Sequence, residues 1–93
     1  MSDVTTTLTT WRKDIAREMS IRGESWDDVI AHSPSGTVWL DEEFDYGYGG
    51  HNGTPFTLWT KNRVYFPVMY DGLEWVESAP RNPCSEVSKH VGG

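Results

Sequence analysis

Residues 54–78, TPFTLWTKNRVYFPVMYDGLEWVES, hold three short apolar runs separated by two tight polar turns, the pattern of an antiparallel β-meander. Asp71-Gly72 is the stronger turn, because a two-residue type I′ loop requires positive φ at both positions and Asp-Gly adopts it at little steric cost. Lys61-Asn62 is the weaker one. Counting outward from these loops pairs Tyr70 with Leu73 and Val68 with Trp75, and pairs Trp59 with Val64 and Thr57 with Phe66. One face of the sheet then collects Trp59, Val64, Phe66, Val68, Tyr70, Leu73 and Trp75. The other collects Phe56, Leu58, Tyr65, Pro67, Met69 and Val76. Both faces are apolar, so helices are expected to cover one, and a loop, the tail or a partner the other. Pro67 has no N–H to give to a ladder, and a bulge or broken pairing is expected there.

Upstream, Leu8, Trp11, Ile15 and Met19 recur at spacings of three and four, which predicts an amphipathic helix over residues 8–22. Thr7 is positioned to cap its start and Gly23 to end it in a left-handed conformation. Glu18 and Arg22 form a favourable i,i+4 pair. Ser25-Trp26-Asp27-Asp28 resembles a capping box, so a second helix is expected over about 26–32, burying Trp26, Val29 and Ile30 before Ser33-Pro34-Ser35-Gly36 stops it. Thr37-Val-Trp-Leu40 reads as a short strand. The prediction is a single α+β domain spanning 1–93: a helical hairpin in 8–32, a three- or four-stranded antiparallel sheet within 37–78, and an irregular tail, 79–93, kept out of the sheet by Pro80 and Pro83 with at most a helical turn near Ser85–Lys89.

Composition narrows the function classes. The 93 residues include five tryptophans, and each aromatic buries roughly 150–250 Å², enough to oppose disorder in so small a chain. Cys84 is the only cysteine, which excludes an intramolecular disulfide and a Cys-based zinc cage. No basic segment leads into an apolar run at the N-terminus, and no apolar stretch nears the roughly 20 residues that span a bilayer, so the chain is expected to be soluble and unexported. A net charge of −6 argues against nucleic acid as a partner. Seven of the 14 acids, Glu24, Asp27, Asp28, Asp41, Glu42, Glu43 and Asp45, fall in one block without Lys or Arg, and Arg12, Lys13, Arg17 and Arg22 precede it. A bipolar molecule is expected. The helix-turn-helix that residues 8–32 could imitate would put Asp27 and Asp28 on its reading helix, the wrong charge for DNA.

The segment from Asp41 to Gly53, DEEFDYGYGGHNG, is the least structurally determined, with glycines free in φ and rings expected to be exposed or half-buried. As a calcium loop starting at Asp41 it fails, because Tyr46 stands where Gly is required and Asn52 where a bidentate Glu is required. As a phosphate-cradling loop it also fails. No Lys-Ser or Lys-Thr follows, and the carboxylates upstream would repel phosphate. Neither Cys84 nor a serine has a base and orienting acid brought to it by sequence spacing from His32, His51 or His90, so no catalytic residue and no cofactor are assigned. The closing Gly92-Gly93 is shared with ubiquitin-like modifiers, but those open on a β-hairpin and this chain opens on a predicted helix.

WRKDIAREMSIRGESWDDVI, EFDYGYGG and PFTLWTKNRVYFPVMYDGLEWVESAPRNP together resemble a family of small acidic proteins encoded by tailed bacteriophages and prophages. The resemblance implies a phage setting and the host bacterial cytoplasm; it carries over no activity and no site residue. The expected function is that of a non-enzymatic accessory protein, monomer or homodimer, that binds a host protein, one option being a nucleic-acid-binding host factor that it inhibits. Its expected contact residues are Asp41, Glu42, Glu43, Phe44, Asp45, Tyr46, Tyr48 and His51: the carboxylates steer a basic surface and the rings supply contact area. The alternatives are a small metal- or His-dependent hydrolase using His51 with Asp41 or Asp45, and a homodimeric virion or assembly component covering its second sheet face.

Overall fold

A computed structural model of the chain describes residues 8–47 and 52–91. In order, these form β1 (Leu8–Thr9), α1 (Trp11–Arg22), a 3-10 turn (Trp26–Asp28), β2 (Val29–Ser33), α2 (Val38–Asp41), β3 (Phe44–Asp45), β4 (Thr57–Thr60), β5 (Arg63–Tyr70) and β6 (Leu73–Pro80). The class is α+β. A four-stranded antiparallel sheet runs β2-β4-β5-β6, and β1 and β3 make a separate two-stranded ribbon.

The β5–β6 hairpin follows from its loop. Asp71 and Gly72 take φ of 52° and 81°, and from there the register runs unbroken from Tyr70↔Leu73 to Arg63↔Pro80. Trp59↔Val64 and Leu58↔Tyr65 set β4 against β5 as the Lys61-Asn62 turn requires. The bulge expected at Pro67 is absent, and Pro67 lies opposite Val76 within the continuous ladder. A two-residue hairpin alternates bonded and non-bonded pairs from its closing pair, so residue 67 belongs to a non-bonded pair and its nitrogen faces away from β6. On that side β4 begins only at Thr57, and the missing donor has no strand partner to lose. Pro80, expected outside the sheet, is instead the last residue of β6. The tail beyond it is irregular, with no helical turn at 85–89.

The predicted helical hairpin is replaced by one helix and a strand. α1 starts at Trp11, capped by the Thr10 side chain accepting from Lys13 N–H, because Leu8 and Thr9 pair with Asp45 and Phe44; Thr7 lies outside the described residues. The capping box at Ser25 and Asp28 forms as predicted but closes only the 3-10 turn. Val29 and Ile30 are β-branched and Ser33 precedes a proline, both unfavourable for continuing a helix, so the chain turns extended and pairs with β4 from Val29↔Thr60 to Ser33↔Thr57. A register shift between Val29 and Ala31 leaves Ile30 61% exposed rather than buried. Conversely, the strand expected at 37–40 is helical. α2 buries Trp39 and Leu40, and the Trp39 indole donates to the carbonyls of Pro34 and Gly36, fastening the preceding turn.

α1 lays Trp11, Ile15 and Met19, the predicted apolar stripe, into one core with Trp39, Leu40, Phe44, Phe56, Leu58, Tyr65 and Val76. The covered sheet face is therefore the one that carries Leu58, Tyr65 and Val76. Tyr65 Oη donates to Glu24 at 2.6 Å, and burial together with that bond pushes its phenol above the ordinary range. On the opposite face Trp59, Val64, Phe66, Val68 and Trp75 are half-buried, while Tyr70 and Leu73 are exposed. Residues 86–91 of the tail pass beside Phe66, Trp75 and Ala79, leaving a groove of about 420 Å³ between them.

Gly23 ends α1 at φ 75°, with the Glu24 N–H donating to Met19 O at 2.8 Å. A Cβ at Gly23 would meet nothing within 4 Å, so Gly23→Ala isolates the cost of the backbone conformation. The expected loss is about 1 kcal/mol in urea unfolding.

Candidate docking site at the acidic segment

The acidic segment is built into the fold rather than hung from it. Asp41, at the end of α2, receives a two-pronged ion pair from Arg12 (Nε–Oδ1 2.7 Å, Nη2–Oδ2 3.0 Å). This bond holds the Asp41 carboxyl below its usual range and raises the Arg12 guanidinium. The Arg12 guanidinium also lies 5.5 Å from the ring centre of Trp26, so one side chain ties the 3-10 turn to the end of α2. Arg17 pairs with Asp14 and Arg22 with Glu18. Three of the four cations of the expected basic pole are therefore paired with carboxylates.

Glu42 and Glu43 are exposed, and Glu42 Oε1 accepts a long bond from Thr54 Oγ1 at 3.4 Å. Phe44, expected on the surface or half-buried, is only 8% exposed; it pairs with Thr9 in the ribbon and its ring centre is 4.5 Å from that of Trp11. Asp45 is half-buried, its Oδ1 accepting from Gly47 N–H at 3.0 Å and its carbonyl from Asn52 Nδ2 at 2.9 Å. Tyr46 packs partly buried on the core, and its carbonyl accepts from Glu74 N–H at 2.8 Å. Tyr48 and His51 lie outside the described residues. The hydrolase reading needs His51 and lies there with it.

Two residues that sequence reasoning passed over anchor the segment. Glu74, buried in β6, accepts from the N–H groups of Asn52 (2.8 Å) and Gly53 (3.0 Å), so the sheet itself clamps the end of the loop. Gly53 lies against the Trp11 ring, whose indole donates to Thr54 O at 2.9 Å. The outcome is a cleft of about 400 Å³ lined by Trp39, Glu42, Glu43, Phe44, Asn52 and Thr54. The sequence signal for Trp39 is a helical turn at residues 38–41, which joins it to the acids that follow.

Of the histidines, His32 packs edge-on against Trp39 with its Nδ1 2.8 Å from Pro34 O, and His90 sits on the exposed tail. Among the described residues no three His, Cys, Asp or Glu side chains converge as metal ligands, and no helix is long and apolar enough to cross a membrane. No protein-family model, curated protein or solved structure matches this chain.

Proposed function

We propose that the chain is a non-enzymatic accessory protein that binds a partner protein by taking a basic side chain into the Glu42–Glu43 cleft. The observation that carries this reading is the lining: two exposed carboxylates beside the aromatic rings of Trp39 and Phe44. An ammonium or guanidinium gains attraction from the two carboxylates, its alkyl stem packs on the margins of the two largely buried rings, and the walls are held by Glu74 and Trp11 before any partner arrives. Asp27, Asp28 and the Arg12-paired Asp41 are exposed as well and supply the steering field. Within the phage setting that the sequence resemblance implies, the partner is a host protein with a basic surface.

An arginine-rich peptide titrated into the ¹⁵N-labelled protein tests this, with the indole N–H signals of the five tryptophans as reporters. The Trp39 signal should move, with affinity falling as salt rises. The double variant Glu42→Lys/Glu43→Lys should bind roughly tenfold more weakly, as two exposed ion pairs worth about 0.7 kcal/mol each would give. Movement of the Trp59 and Trp75 signals alone would place the contact on the sheet face and end this reading.

That half-exposed face, with Trp59, Phe66 and Trp75, supports a second reading, a homodimeric assembly component. Light scattering separates the two. A constant dimer mass that is lost in Trp59→Glu would favour the second.

A further inference from the structure

At the opposite end of the sheet from the hairpin loop, the start of the tail meets Arg22, Arg63 and Glu24 around a cleft of about 340 Å³. We propose that Arg22 and Arg63 form a receptor for the carboxylate of an acidic peptide segment, and that Glu86 of the chain's own tail fills it in cis until a partner's acidic side chain displaces it.

The receptor is held in place from beneath. Arg63, with its side chain only 11% exposed, donates through Nε to Ser78 Oγ at 2.9 Å and through Nη2 to Ser78 O at 3.3 Å. Ser78 Oγ in turn donates to Glu18 Oε2 at 2.8 Å, and the same carboxylate oxygen accepts from Arg22 Nε at 2.8 Å. Glu18 and Ser78 are both buried. Two guanidiniums on separate elements, α1 and β5, are thus fixed by one buried pair. The free prongs of Arg63 meet Glu86 at 2.8 and 2.9 Å, and Arg22 Nη1 lies 3.8 Å from it. A planar fork donating two parallel bonds to one carboxylate adds geometric specificity to the charge attraction.

The occupant is attached as a ligand would be. Arg81 fixes the root of the tail, donating through N–H to Asn62 O and through Nη1 to Thr60 O. Among the described residues beyond it, the polar contacts to the body belong to Glu86, every residue is exposed, and the neighbouring Val87 is 88% exposed. Withdrawing the tail therefore uncovers the arginines, and the apolar cover it gives up is that of Val91, 45% exposed, beside Phe66 and Trp75. It leaves the guanidiniums of Arg22 and Arg63 facing the cleft, with Glu24 on its wall and Glu18 beneath, so the cleft carries little net charge of its own. A phosphate dianion would add more negative charge than a carboxylate beside Glu18 and Glu24, so the pocket's charge favours the side chain of Glu or Asp. Tethered through a short linker containing Pro83, Glu86 competes at an effective concentration of order millimolar, which sets the threshold a partner must exceed.

The test uses the full chain carrying Glu86→Gln, its fold checked by circular dichroism, and the Arg63 Nε–H signal as reporter. The probe is a capped peptide of residues 82–91 with Cys84→Ser, added in trans, beside the same peptide with Glu86→Gln and beside inorganic phosphate. The Glu-containing peptide should shift Arg63 in the variant about tenfold more tightly than the Gln peptide, the loss expected for one charge-assisted pair. It should bind the unaltered protein at least tenfold more weakly than the variant, because the site is filled. Arg63→Lys in the Glu86→Gln background keeps the charge but loses the fork, and should reduce the preference for Glu over Gln severalfold. An Arg63 signal unmoved by millimolar Glu peptide in the folded variant, equal binding to variant and unaltered protein, or tighter binding of phosphate than of the Glu peptide each overturns the assignment.

Discussion

Gly53→Ala is expected to destabilise the protein by roughly 3 kcal/mol, at the upper end of what overpacking one methyl group costs. A Cβ there would fall inside contact distance of Trp11 Cζ2, 2.8 Å from Trp11 Cε2 and 3.0 Å from Phe44 Cζ. Trp11 cannot easily give way. It is fully buried, its ring sits between Phe44 and Phe56 at centre distances of 4.5 and 5.1 Å, and its indole donates to Thr54 O, one residue past the substitution. For a domain of this size each kcal/mol lowers the melting temperature by about 4–8 °C, so a drop of more than about 10 °C should be seen by thermal denaturation. Gly23→Ala, strained in φ but open in space, is the internal comparison. If both variants melt together, Trp11 is not the rigid wall that the cleft needs.

The same ring explains how much of the architecture the sequence carries. The hairpin is legible because its determinant is local: Asp71-Gly72 fixes a loop, and side-chain alternation fixes all that follows. The helix is legible from Trp11, Ile15 and Met19 for a similar reason, and Gly23 ends it as glycine should. Residues 29–33 and 38–41 are too short for periodicity to separate helix from strand. Their types are decided by what they meet, β4 for the first and the core under Trp39 and Leu40 for the second. Leu8 illustrates the limit. It fits the helical stripe by spacing, yet it pairs with Asp45 and is half exposed, because a ribbon partner 37 positions away takes Leu8 and Thr9 out of the helix.

For the site, the acids were legible and their employment was not. Glu42 and Glu43 are on the surface as their charge implies, whereas Asp41 is matched to Arg12 across 29 positions and Phe44 turns inward to Trp11. No spacing rule connects those pairs. Nor does any connect Arg63 with Glu86, since the tail offers no pattern of its own and is placed by Arg81 at its root and the Glu86 carboxylate beyond it. The cleft is a product of two long-range contacts, from Trp11 and Glu74, brought to one short acidic run that Trp39 precedes by a single turn.

Glu74→Gln is expected to release that assembly, with a loss of about 3 kcal/mol. The carboxylate of Glu74 is buried and accepts from two consecutive backbone N–H groups, Asn52 through Oε2 and Gly53 through Oε1. A glutamine amide has the same shape but only one accepting oxygen, so one of the two donors would face an NH₂ group inside the fold. Bonds to an ionised acceptor contribute roughly 1.5–3 kcal/mol each, and an unsatisfied buried donor adds its desolvation cost. Glu74 N–H still donates to Tyr46 O in the variant, so the damage should concentrate at 52–54 rather than spread through the sheet. Hydrogen exchange reads this directly: the Asn52 and Gly53 amides should lose protection while those of α1 and of the β5–β6 ladder lose only what the global destabilisation dictates. Because Asn52 and Thr54 line the cleft beside Glu42 and Glu43, the variant should also bind the arginine-rich peptide more weakly with every surface carboxylate intact. Weaker binding with the acids unchanged separates a preorganised cleft from a merely acidic surface; equal binding would leave the carboxylates acting as diffuse charge, with no need of the clamp beneath them.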